Sequence, residues 1–378
     1  MRILFSSTPA HGHLLPLLPL ARAFQERGDQ VAVLTAGVFA PVLAPEGIEL
    51  LPAGPAADVL FAESGRRTGV DAAANPTPEA VAEFFAGTRI DLTADEALAA
   101  ARQWAPDLVV AEAMDFVGPL VAAALGVPLA THAFGPAVPP EFTDGIAEVA
   151  AARYAARGLT PVPARWYVDP CPDLLQAPGW APAATRLPLR PEPHRGPGAA
   201  GPARAAGPRG GDRARVLVTF GTHFSDPAVL TPILAELRAT GADLVITLGL
   251  TARAEDYDLD DDGITFAPFT PLADLLHDVD LVVTHGGAGT TLGALARGLP
   301  LVVVPQGADQ FLQAAAVEAA GAGIAVPPGA DVPQAVAKAV TALRSDGTHA
   351  AAARAVADQV AAMPSPGQVA ATLAAALA

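Results

Sequence analysis

Residues 284–313, THGGAGTTLGALARGLPLVVVPQGADQFLQ, decide the fold of this chain. The apolar run at 280–283 leads into a glycine-rich turn, and the pattern after the turn predicts a helix over about 291–297. A second apolar run follows at 301–304. Two short apolar runs joined by a helix are typical of parallel strands that are buried on both faces. The stretch therefore predicts an α/β fold with a parallel sheet.

The turn at the start of this helix has the composition of an anion-binding site. It consists of His285, Gly286, Gly287, Ala288, Gly289 and Thr290. Backbone N–H groups at a helix N-terminus lack intrahelical partners, the helix dipole favours negative charge, and glycine lets a ligand approach closely. Gln306, Asp309 and Gln310 follow the next strand, at the sheet edge where open parallel sheets bind ligands. A carboxylate suits sugar hydroxyls better than phosphate, so we expect a diphosphate site beside a sugar site.

This stretch resembles the donor-binding motif of family-1 glycosyltransferases of the GT-B fold, in particular actinobacterial enzymes that glycosylate natural products such as polyketide antibiotics. Turn, helix, strand and the Asp-Gln pair recur in the same order, and the resemblance covers nearly the whole chain. It implies two Rossmann-like, doubly wound domains that face a cleft, with a C-terminal helix that crosses back to the N-domain. It also implies that His285 and the backbone after it contact the nucleotide diphosphate, and that Asp309 and Gln310 hold the sugar.

Strands and helices alternate along both halves, as in parallel βαβ units. We place an acceptor-binding domain at 1–195, a flexible Pro/Gly/Ala linker at 196–213, a nucleotide-sugar-binding domain at 214–360 and the C-terminal helix at 361–378. The predicted strands are 2–6, 30–35, 106–112, 127–132, 216–222, 243–248, 264–267, 280–284 and 301–304, and the first helices are 14–27 and 117–125.

His13 is the predicted catalytic base. It lies in Gly12-His13-Leu14-Leu15-Pro16, where the first strand gives way to the first helix. An imidazole with a pKa of about 6.5 suits a general base at neutral pH. The catalytic histidine of the family occupies the same Gly-His-x-x-Pro position. His11 matches less well, and we interpret it as a residue that shapes the site.

A carboxylate on the other imidazole nitrogen would fix the tautomer of such a base. Glu112 ends the strand at 106–112, where the family often has an acid. Many relatives use Asp there, and Glu is one methylene longer. Asp115 is a second candidate, and a solvated loop charge is the third interpretation.

Further site residues follow from the resemblance. Thr219, Gly221 and Thr222 end the first strand of the second half, near the expected donor phosphates. Phe269 precedes the main motif and contacts either the nucleotide base or the core. The candidate acceptor-binding residues share an aromatic ring: Phe84, Phe85, Phe116, Phe134 and Phe142.

Composition excludes several classes of protein. The net charge of −16 disfavours nonspecific nucleic-acid binding, which requires clustered basic residues. Cys171 is the only cysteine, which precludes an intrachain disulfide and fits a reducing cytoplasm. The chain has no uninterrupted apolar run of the roughly 18 residues that a membrane span requires. The expected partners are a nucleotide sugar and a hydrophobic small molecule, and a homodimer is left open.

We expect an inverting glycosyltransferase that moves a sugar, by family likeness a deoxysugar, from a dTDP- or UDP-sugar to a hydrophobic aglycone in antibiotic biosynthesis. His13 removes the acceptor proton, Glu112 orients His13, and the diphosphate leaves into the turn. No metal and no cofactor are expected, because a helix N-terminus and a histidine offset the charge of the leaving group. The alternatives are a catalytically inactive sugar-nucleotide-binding partner protein, or another GT-B enzyme such as a sugar-nucleotide epimerase.

Overall fold

The structure, a computed structural model, describes residues 1–70, 77–196, 213–221, 225–249, 252–257, 259, 263–268, 270–329 and 331–377. The chain divides into two compact units. The first unit comprises Met1–Pro170, Gly179–Leu189 and Pro364–Ala378, and the second comprises Cys171–Pro178 and Arg190–Met363. Each unit is built on its own parallel sheet, as the sequence predicts. Among the described residues, no helix has both the length and the apolar character to cross a membrane.

The first unit contains a seven-stranded sheet in the order β3-β2-β1-β4-β5-β6-β7. Its strands are β1 (Arg2–Ser6), β2 (Gln30–Thr35), β3 (Glu49–Pro52), β4 (Leu108–Glu112), β5 (Leu129–His132), β6 (Trp166–Asp169) and β7 (Thr185–Pro188). β1 and β2 have the predicted bounds, and β4 and β5 begin two residues later than predicted. β3, β6 and β7 were not predicted, because four-residue strands carry little hydrophobic pattern and two of these lie at sheet edges.

The helices of the first unit cover both faces of this sheet. They are α1 (His11–Leu14), α2 (Leu18–Glu26), α3 (Ala40–Leu43), α4 (Ala57–Thr68), α5 (Pro78–Ala82), α6 (Arg89–Trp104), α7 (Val117–Leu125) and α8 (Pro140–Ala155). A π-helical turn, Glu83–Thr88, joins α5 to α6. The single helix predicted at 14–27 is instead α1, a 3₁₀ turn at Leu15–Leu17 and α2. Pro16 and Pro19 explain the interruption, since neither has an N–H to donate.

The second unit contains a six-stranded sheet in the order β10-β9-β8-β11-β12-β13. Its strands are β8 (Arg215–Thr219), β9 (Asp243–Thr247), β10 (Ile264–Ala267), β11 (Leu281–Thr284), β12 (Leu301–Val303) and β13 (Gly323–Ala325). Its helices are α9 (Pro227–Arg238), α10 (Leu272–Leu275), α11 (Ala288–Leu295), α12 (Gln310–Ala319), α13 (Val332–Ser345) and α14 (Gly347–Ala362). Five of the six strands were predicted, and the three-residue β13 was not.

The last helix, α15 (Pro366–Ala375), belongs to the first unit, which confirms the expected return of the chain. Ser365 and Gln368 form a capping box at its start. Val369 and Leu373 then pack into the same core cluster as Phe24 of α2. Burial of these apolar side chains, rather than sequence proximity, therefore decides where the end of the chain belongs.

The unit boundaries differ from the predicted ones at residues 361–363, which lie in the second unit, and at two longer segments. Residues 171–178 lie in the second unit, because Cys171 and Leu175 are buried in its core cluster and the Leu174 N–H donates to Gln359 Oε1 at 3.0 Å. Residues 190–195 also belong to the second unit, where the His194 carbonyl accepts the Ala273 N–H at 3.1 Å. Of the predicted linker at 196–213, residues 197–212 lie outside the described part of the chain.

Both sheets have a topological switch point, where the strand order reverses. It lies between β1 and β4 in the first unit and between β8 and β11 in the second. Open parallel sheets bind ligands outside the carboxyl ends of the strands at this place. The loops after these four strands are therefore the expected ligand-binding regions.

Candidate active site

The first switch point brings His13 and Glu112 together. His13 lies in α1, one short loop after β1, and Glu112 is the last residue of β4. His13 Nδ1 lies 3.0 Å from Glu112 Oε1. Glu112 is 1% exposed, whereas His13 is partly exposed. The histidine of the pair is therefore accessible to solvent and the carboxylate is buried.

The alternation of side chains along β4 explains why Glu112 reaches His13. Successive strand residues point to opposite faces of a sheet. Val110 lies in the core cluster that also contains Leu14 of α1, whereas Ala111 lies in the cluster on the opposite face. Glu112 is two residues after Val110, so its side chain points to the same face of the sheet, the face on which α1 packs. The extra methylene of Glu, compared with Asp, does not prevent contact with His13.

Glu112 is held as a carboxylate by three donors. Besides His13, it accepts the Thr8 N–H at 3.2 Å and the Met114 N–H at 2.6 Å. Burial by itself would raise the pKa of Glu112, but His13 and the two N–H donors outweigh it and hold this pKa below its usual range. A charged Glu112 can only accept hydrogen bonds, so His13 Nδ1 is the donor of the pair.

Asp115, the second candidate acid, has a different partner. It forms an ion pair with Arg89 at 3.3 Å, accepts the hydroxyl of Ser6 and accepts the Gly118 N–H at 2.9 Å. Burial raises the pKa of Asp115, and Arg89 opposes this effect. Of the two acids that the sequence leaves open, the geometry pairs Glu112 with His13 and Asp115 with Arg89.

Two of the predicted aromatic residues flank the histidine. The ring centroid of His13 lies 5.7 Å from that of Phe85 and 5.3 Å from that of Phe134. Phe84 packs edge-on against Phe85 at 4.9 Å and so supports it from behind. Phe84 and Phe85 sit in the π-helical turn, a conformation that is frequent at functional sites.

The remaining predicted residues of the first unit have other surroundings. Phe116 precedes α7, and its carbonyl accepts the hydroxyl of Tyr154. Phe142 lies in α8 with 59% of its surface exposed. His11 places its ring 5.1 Å from that of Phe39, which fits its interpretation as a shaping residue.

The second switch point is built from glycines around His285. A Cβ on Gly221 would lie 2.8 Å from His285 Cε1, and a Cβ on Gly287 would lie 2.7 Å from His285 Nε2. Only glycine therefore leaves room for this ring on both sides. Gly286 has a φ of 94°, in the left-handed region that favours glycine. His285 is 7% exposed and stacks on Phe220 with the ring centroids 6.1 Å apart.

The helix after this turn begins earlier than predicted. α11 starts at Ala288 rather than near Thr291, with Gly287 as its N-cap. Ala288, Gly289 and Thr290 are thus the first turn of the helix, because only Gly286 has a left-handed φ in this stretch. The first intrahelical bond runs from the Thr291 N–H to the Gly287 carbonyl. The N–H groups of the preceding residues are the donors that a helix N-terminus offers to an anion.

A tight loop follows β12 and positions Asp309. Gln310 Oε1 accepts the Gln306 N–H at 2.7 Å and the Gly307 N–H at 3.1 Å, so this buried side chain closes the loop. Ala308 has a φ of 54°, a left-handed conformation that costs a non-glycine residue on the order of 1 kcal/mol. Asp309 Oδ2 accepts Gln313 Nε2 at 3.2 Å. The structure gives Gln310 a loop-holding role beneath Asp309.

Thr219 ends β8 beside this site. Its Oγ1 accepts the hydroxyl of Thr247 at 2.8 Å, and in the sheet register it lies opposite Thr284. Gly221, two residues later, has a φ of 70°. Thr222 and Phe269, two further predicted donor residues, lie outside the described residues. Within the described ranges, no group of three or more His, Cys, Asp or Glu side chains could hold a metal ion.

Sequence reasoning missed Arg89, the largest fully buried side chain in the described part of the chain. Its Nη2 donates to the Ser7 carbonyl at 2.8 Å as well as to Asp115. The sequence does contain a pattern that indicates its burial. Arg89 lies on the same face of α6 as the buried Thr93, Ala97 and Ala101, which follow it at spacings of four residues. A charged residue on an otherwise uncharged buried face requires a partner.

Comparison with known proteins now defines the class. Family models of the erythromycin biosynthesis protein CIII-like N-terminal and C-terminal domains match residues 22–221 and 231–376. An L-demethylnoviosyl transferase of Streptomyces niveus is 36% identical over 386 residues, which cover 99% of this chain and 98% of the relative.

Solved structures agree with this assignment. The Streptomyces sp. SF2575 glycosyltransferase SsfS6, complexed with thymidine diphosphate, has a TM-score of 0.82 at 30% identity and covers 99% of both chains. The spinosyn rhamnosyltransferase SpnG, complexed with spinosyn aglycone, has a TM-score of 0.81 at 27% identity over 99% of this chain and 100% of SpnG.

Fold and matches together define a glycosyltransferase with two Rossmann-like domains of the GT-B type. The chain belongs to the erythromycin biosynthesis protein CIII-like family. The family resemblance, the fold class and the class of enzyme predicted from the sequence are thereby confirmed.

Proposed function

We propose that this enzyme is an inverting glycosyltransferase that moves a deoxysugar from a dTDP- or UDP-sugar to a hydrophobic natural-product aglycone in antibiotic biosynthesis. The observation that carries the proposal is the His13–Glu112 pair, 3.0 Å apart at the first switch point. The names of the relatives support the two substrates, since one is a rhamnosyltransferase crystallised with an aglycone and another a glycosyltransferase crystallised with thymidine diphosphate.

The tautomer of His13 gives it the role of base. Because Nδ1 donates its proton to Glu112, Nε2 carries the free lone pair and takes the proton of the acceptor hydroxyl. The hydroxyl oxygen then attacks the anomeric carbon, and the bond to the diphosphate breaks with its electron pair on the leaving oxygen. One displacement requires one base and inverts the anomeric centre. Glu112 stabilises the imidazolium that forms.

The second unit holds the donor in this proposal. The N–H groups of Ala288, Gly289 and Thr290 at the start of α11 bind the diphosphate and offset its growing charge. The ring of His285 lies between Gly221 and Gly287, the residue that caps this helix, and is proposed to contact the diphosphate as well. Thr219, with the undescribed Thr222 and Phe269, completes the predicted nucleotide site.

Asp309 holds the sugar in this proposal, because a carboxylate accepts hydrogen bonds from sugar hydroxyls. The left-handed Ala308 and the two backbone bonds of Gln310 fix the loop that carries it. Asp309→Asn should weaken the affinity for dTDP-glucose about tenfold and leave the affinity for dTDP unchanged. Calorimetric titration of both ligands measures this, with Glu318→Gln at the far, exposed end of α12 as the control. Equal losses for the two ligands would remove Asp309 from the sugar site.

The aromatic rings around His13 are the proposed acceptor site. Phe85 and Phe134 contact the base itself, so an apolar aglycone that packs on them brings its hydroxyl to Nε2. Phe84, Phe116 and Phe142 are retained as predictions for the outer part of this site. Aromatic side chains offer few hydrogen-bonding groups. This site therefore fits an apolar aglycone better than it would fit a second sugar as acceptor.

Transfer without metal is also part of the proposal, because the backbone N–H donors at the start of α11 and the neighbouring His285 can offset the charge of the leaving diphosphate. We place the enzyme in the cytoplasm, in keeping with a buried free thiol at Cys171. A homodimer stays a prediction, which light scattering on the purified chain tests.

The inactive-partner alternative predicts nucleotide binding without chemistry. A buried carboxylate aligned on a histidine at a switch point supports an active enzyme instead. The test titrates dTDP and UDP into the protein, then incubates dTDP-glucose and a panel of dTDP-deoxysugars with 4-methylumbelliferone and polycyclic phenols. Mass spectrometry should detect a glycoside. Tight dTDP binding with no glycoside across the panel would favour the inactive partner.

A further inference from the structure

A buried ion pair lies directly behind the His13–Glu112 site. Arg89 is fully buried and Asp115 is 2% exposed. Arg89 Nη1 also donates to Thr93 Oγ1 at 3.1 Å, while Arg89 Nε has no hydrogen-bond partner among the described residues. Desolvation makes such pairs weak contributors to stability, and an unpartnered buried donor adds to the cost. Stability alone is therefore a poor explanation for this pair.

One peptide group connects the ion pair to the predicted base. Arg89 Nη2 donates to the Ser7 carbonyl at 2.8 Å. The nitrogen of the same peptide bond belongs to Thr8, and its N–H donates to Glu112 Oε1 at 3.2 Å. That same carboxylate oxygen contacts His13 Nδ1. A continuous series of polar contacts thus runs from Arg89 through a single peptide to His13.

We propose that Arg89 and Asp115 are positioning residues that orient the Ser7–Thr8 peptide and, through it, the Glu112 carboxylate and the His13 tautomer. The role rests on the proposed function of His13 as the base. A cation at the carbonyl end of a peptide polarises it and strengthens donation from its N–H, as in other hydrogen-bonded series at low dielectric. Asp115 in turn holds Arg89 and is itself tied to β1 by the Ser6 hydroxyl.

The position of Arg89 in the chain couples it to the acceptor side as well. Arg89 is the first residue of α6, directly after the π-helical turn, and Phe85 lies four residues before it. Phe85 contacts the ring of His13. One continuous segment therefore contacts His13 with an aromatic ring and reaches Glu112 through the Ser7–Thr8 peptide.

The test replaces the pair without leaving an unpaired buried charge. In Arg89→Met/Asp115→Asn both charges disappear, and the new amide oxygen can still accept the Gly118 N–H. The control is Arg22→Gln/Glu46→Gln, which removes a partly buried Arg–Glu pair elsewhere in the same unit, with contacts of 2.6 and 2.7 Å. Arg89→Lys keeps one cationic donor but loses the two-nitrogen fork.

The ¹⁵N shifts of the His13 imidazole, assigned with His13→Gln, report its tautomer without any donor or acceptor. We expect the native protein and the control to show the Nδ1–H tautomer, and the Arg89/Asp115 double variant to show a mixture. With dTDP-glucose and 4-methylumbelliferone, kcat should fall about tenfold at nearly constant KM, the loss expected for a small misplacement of a base. Arg89→Lys should shift the tautomer in the same direction by a smaller amount.

Native His13 shifts in the folded double variant would overturn the proposal. Should that variant fail to fold, native shifts and native kcat in Arg89→Lys would overturn it equally. A failure of the proposed function can be distinguished from a failure of this proposal. If the proposed function is wrong, the native enzyme forms no glycoside, whereas the ¹⁵N shifts of His13 are measured on the protein without substrates.

Discussion

The two switch points of this enzyme occupy the same place in two sheets and are built from opposite chemistry. In the first unit, the helix that follows β1 and the last position of β4 carry ionisable side chains, with His13 Nδ1 and Glu112 Oε1 3.0 Å apart. In the second, glycines that follow β8 and β11 enclose the ring of His285, directly before the N-terminus of α11. The shared topology sets only where a ligand binds, and the residues after the strands decide whether the site reacts with the ligand or holds it.

In the proposed function, proton transfer belongs to the first switch point and anion binding to the second. A base must accept a proton near neutral pH, so it needs a titratable ring with a fixed tautomer. A diphosphate needs several donors at once, so it needs backbone that a ligand can approach. Variants at one switch point should therefore alter one step of the reaction and spare the other.

Removal of the base should have the largest effect. His13→Ala leaves no group to accept the acceptor proton, and we expect kcat to fall by about a thousandfold or more, within the range for general-base catalysis. Glycoside formation from dTDP-glucose and 4-methylumbelliferone, followed by chromatography, measures it. A variant that keeps a tenth of the native rate would show that another group is the base.

Removal of the carboxylate should have the next largest effect. Glu112→Gln offers His13 an amide instead of an acceptor-only group, so we expect kcat to fall about a hundredfold at similar KM. Glu112→Asp, one methylene shorter, should lose about tenfold, because the charge stays while the 3.0 Å contact lengthens. A larger loss in the Asp variant than in the Gln variant would mean that packing, rather than charge, is what Glu112 supplies.

A methyl group at the second switch point should weaken binding and spare the base. The Cβ of Gly287→Ala would lie 2.7 Å from His285 Nε2, so the turn before α11 must shift. We expect the Kd for dTDP to rise about a hundredfold, equivalent to losing one or two charge-assisted hydrogen bonds. Gly145→Ala is the matched control, because a Cβ at this position in α8 meets no atom within 4 Å. Equal Kd values for the two variants would remove the turn from the nucleotide site.

A pH effect on stability should be the smallest and should belong to the first unit. Burial lowers the pKa of His132, the neighbour of Glu112 in the sheet register, from 6.5 to about 4. Between these values the unfolded chain binds a proton that the folded chain does not, so stability falls as pH decreases. From pH 7.5 to 5.0 we expect a loss of about 2 kcal/mol from this group. Denaturant unfolding of the native chain and of His132→Gln measures it, and equal pH slopes would contradict the assignment.

Much of this arrangement could be predicted from the sequence because it depends on short-range signals. Apolar runs predicted both central strands of each sheet, and strand ends placed His13 and Glu112 at one edge. The choice between Glu112 and Asp115 was left open, because it depends on which distant residue each carboxylate reaches, His13 for Glu112 and Arg89 for Asp115. The predicted start of α11 was wrong by three residues, because the sequence does not show which of the glycines has a left-handed φ.

Other features depend on contacts between distant parts of the chain. Arg89 and Ser7 are 82 residues apart in sequence, so no local pattern relates them. Residues 171–178 joined the second unit because Cys171 and Leu175 find their apolar neighbours there. Short edge strands such as β3 and β7 have too few buried residues to produce a recognisable hydrophobic pattern in the sequence. Long-range packing, which local propensity does not encode, accounts for these differences.

The division of roles between the switch points is tested most directly by the affinity of His13→Ala for dTDP. Calorimetric titration requires neither a sugar nor an aglycone, so it isolates the second switch point from the chemistry of the first. We predict a Kd within about twofold of the native value, a difference well under 1 kcal/mol, since the proposed nucleotide site is built from residues of the second unit. A Kd raised tenfold or more would contradict the account, because the predicted base would then also be part of the nucleotide site.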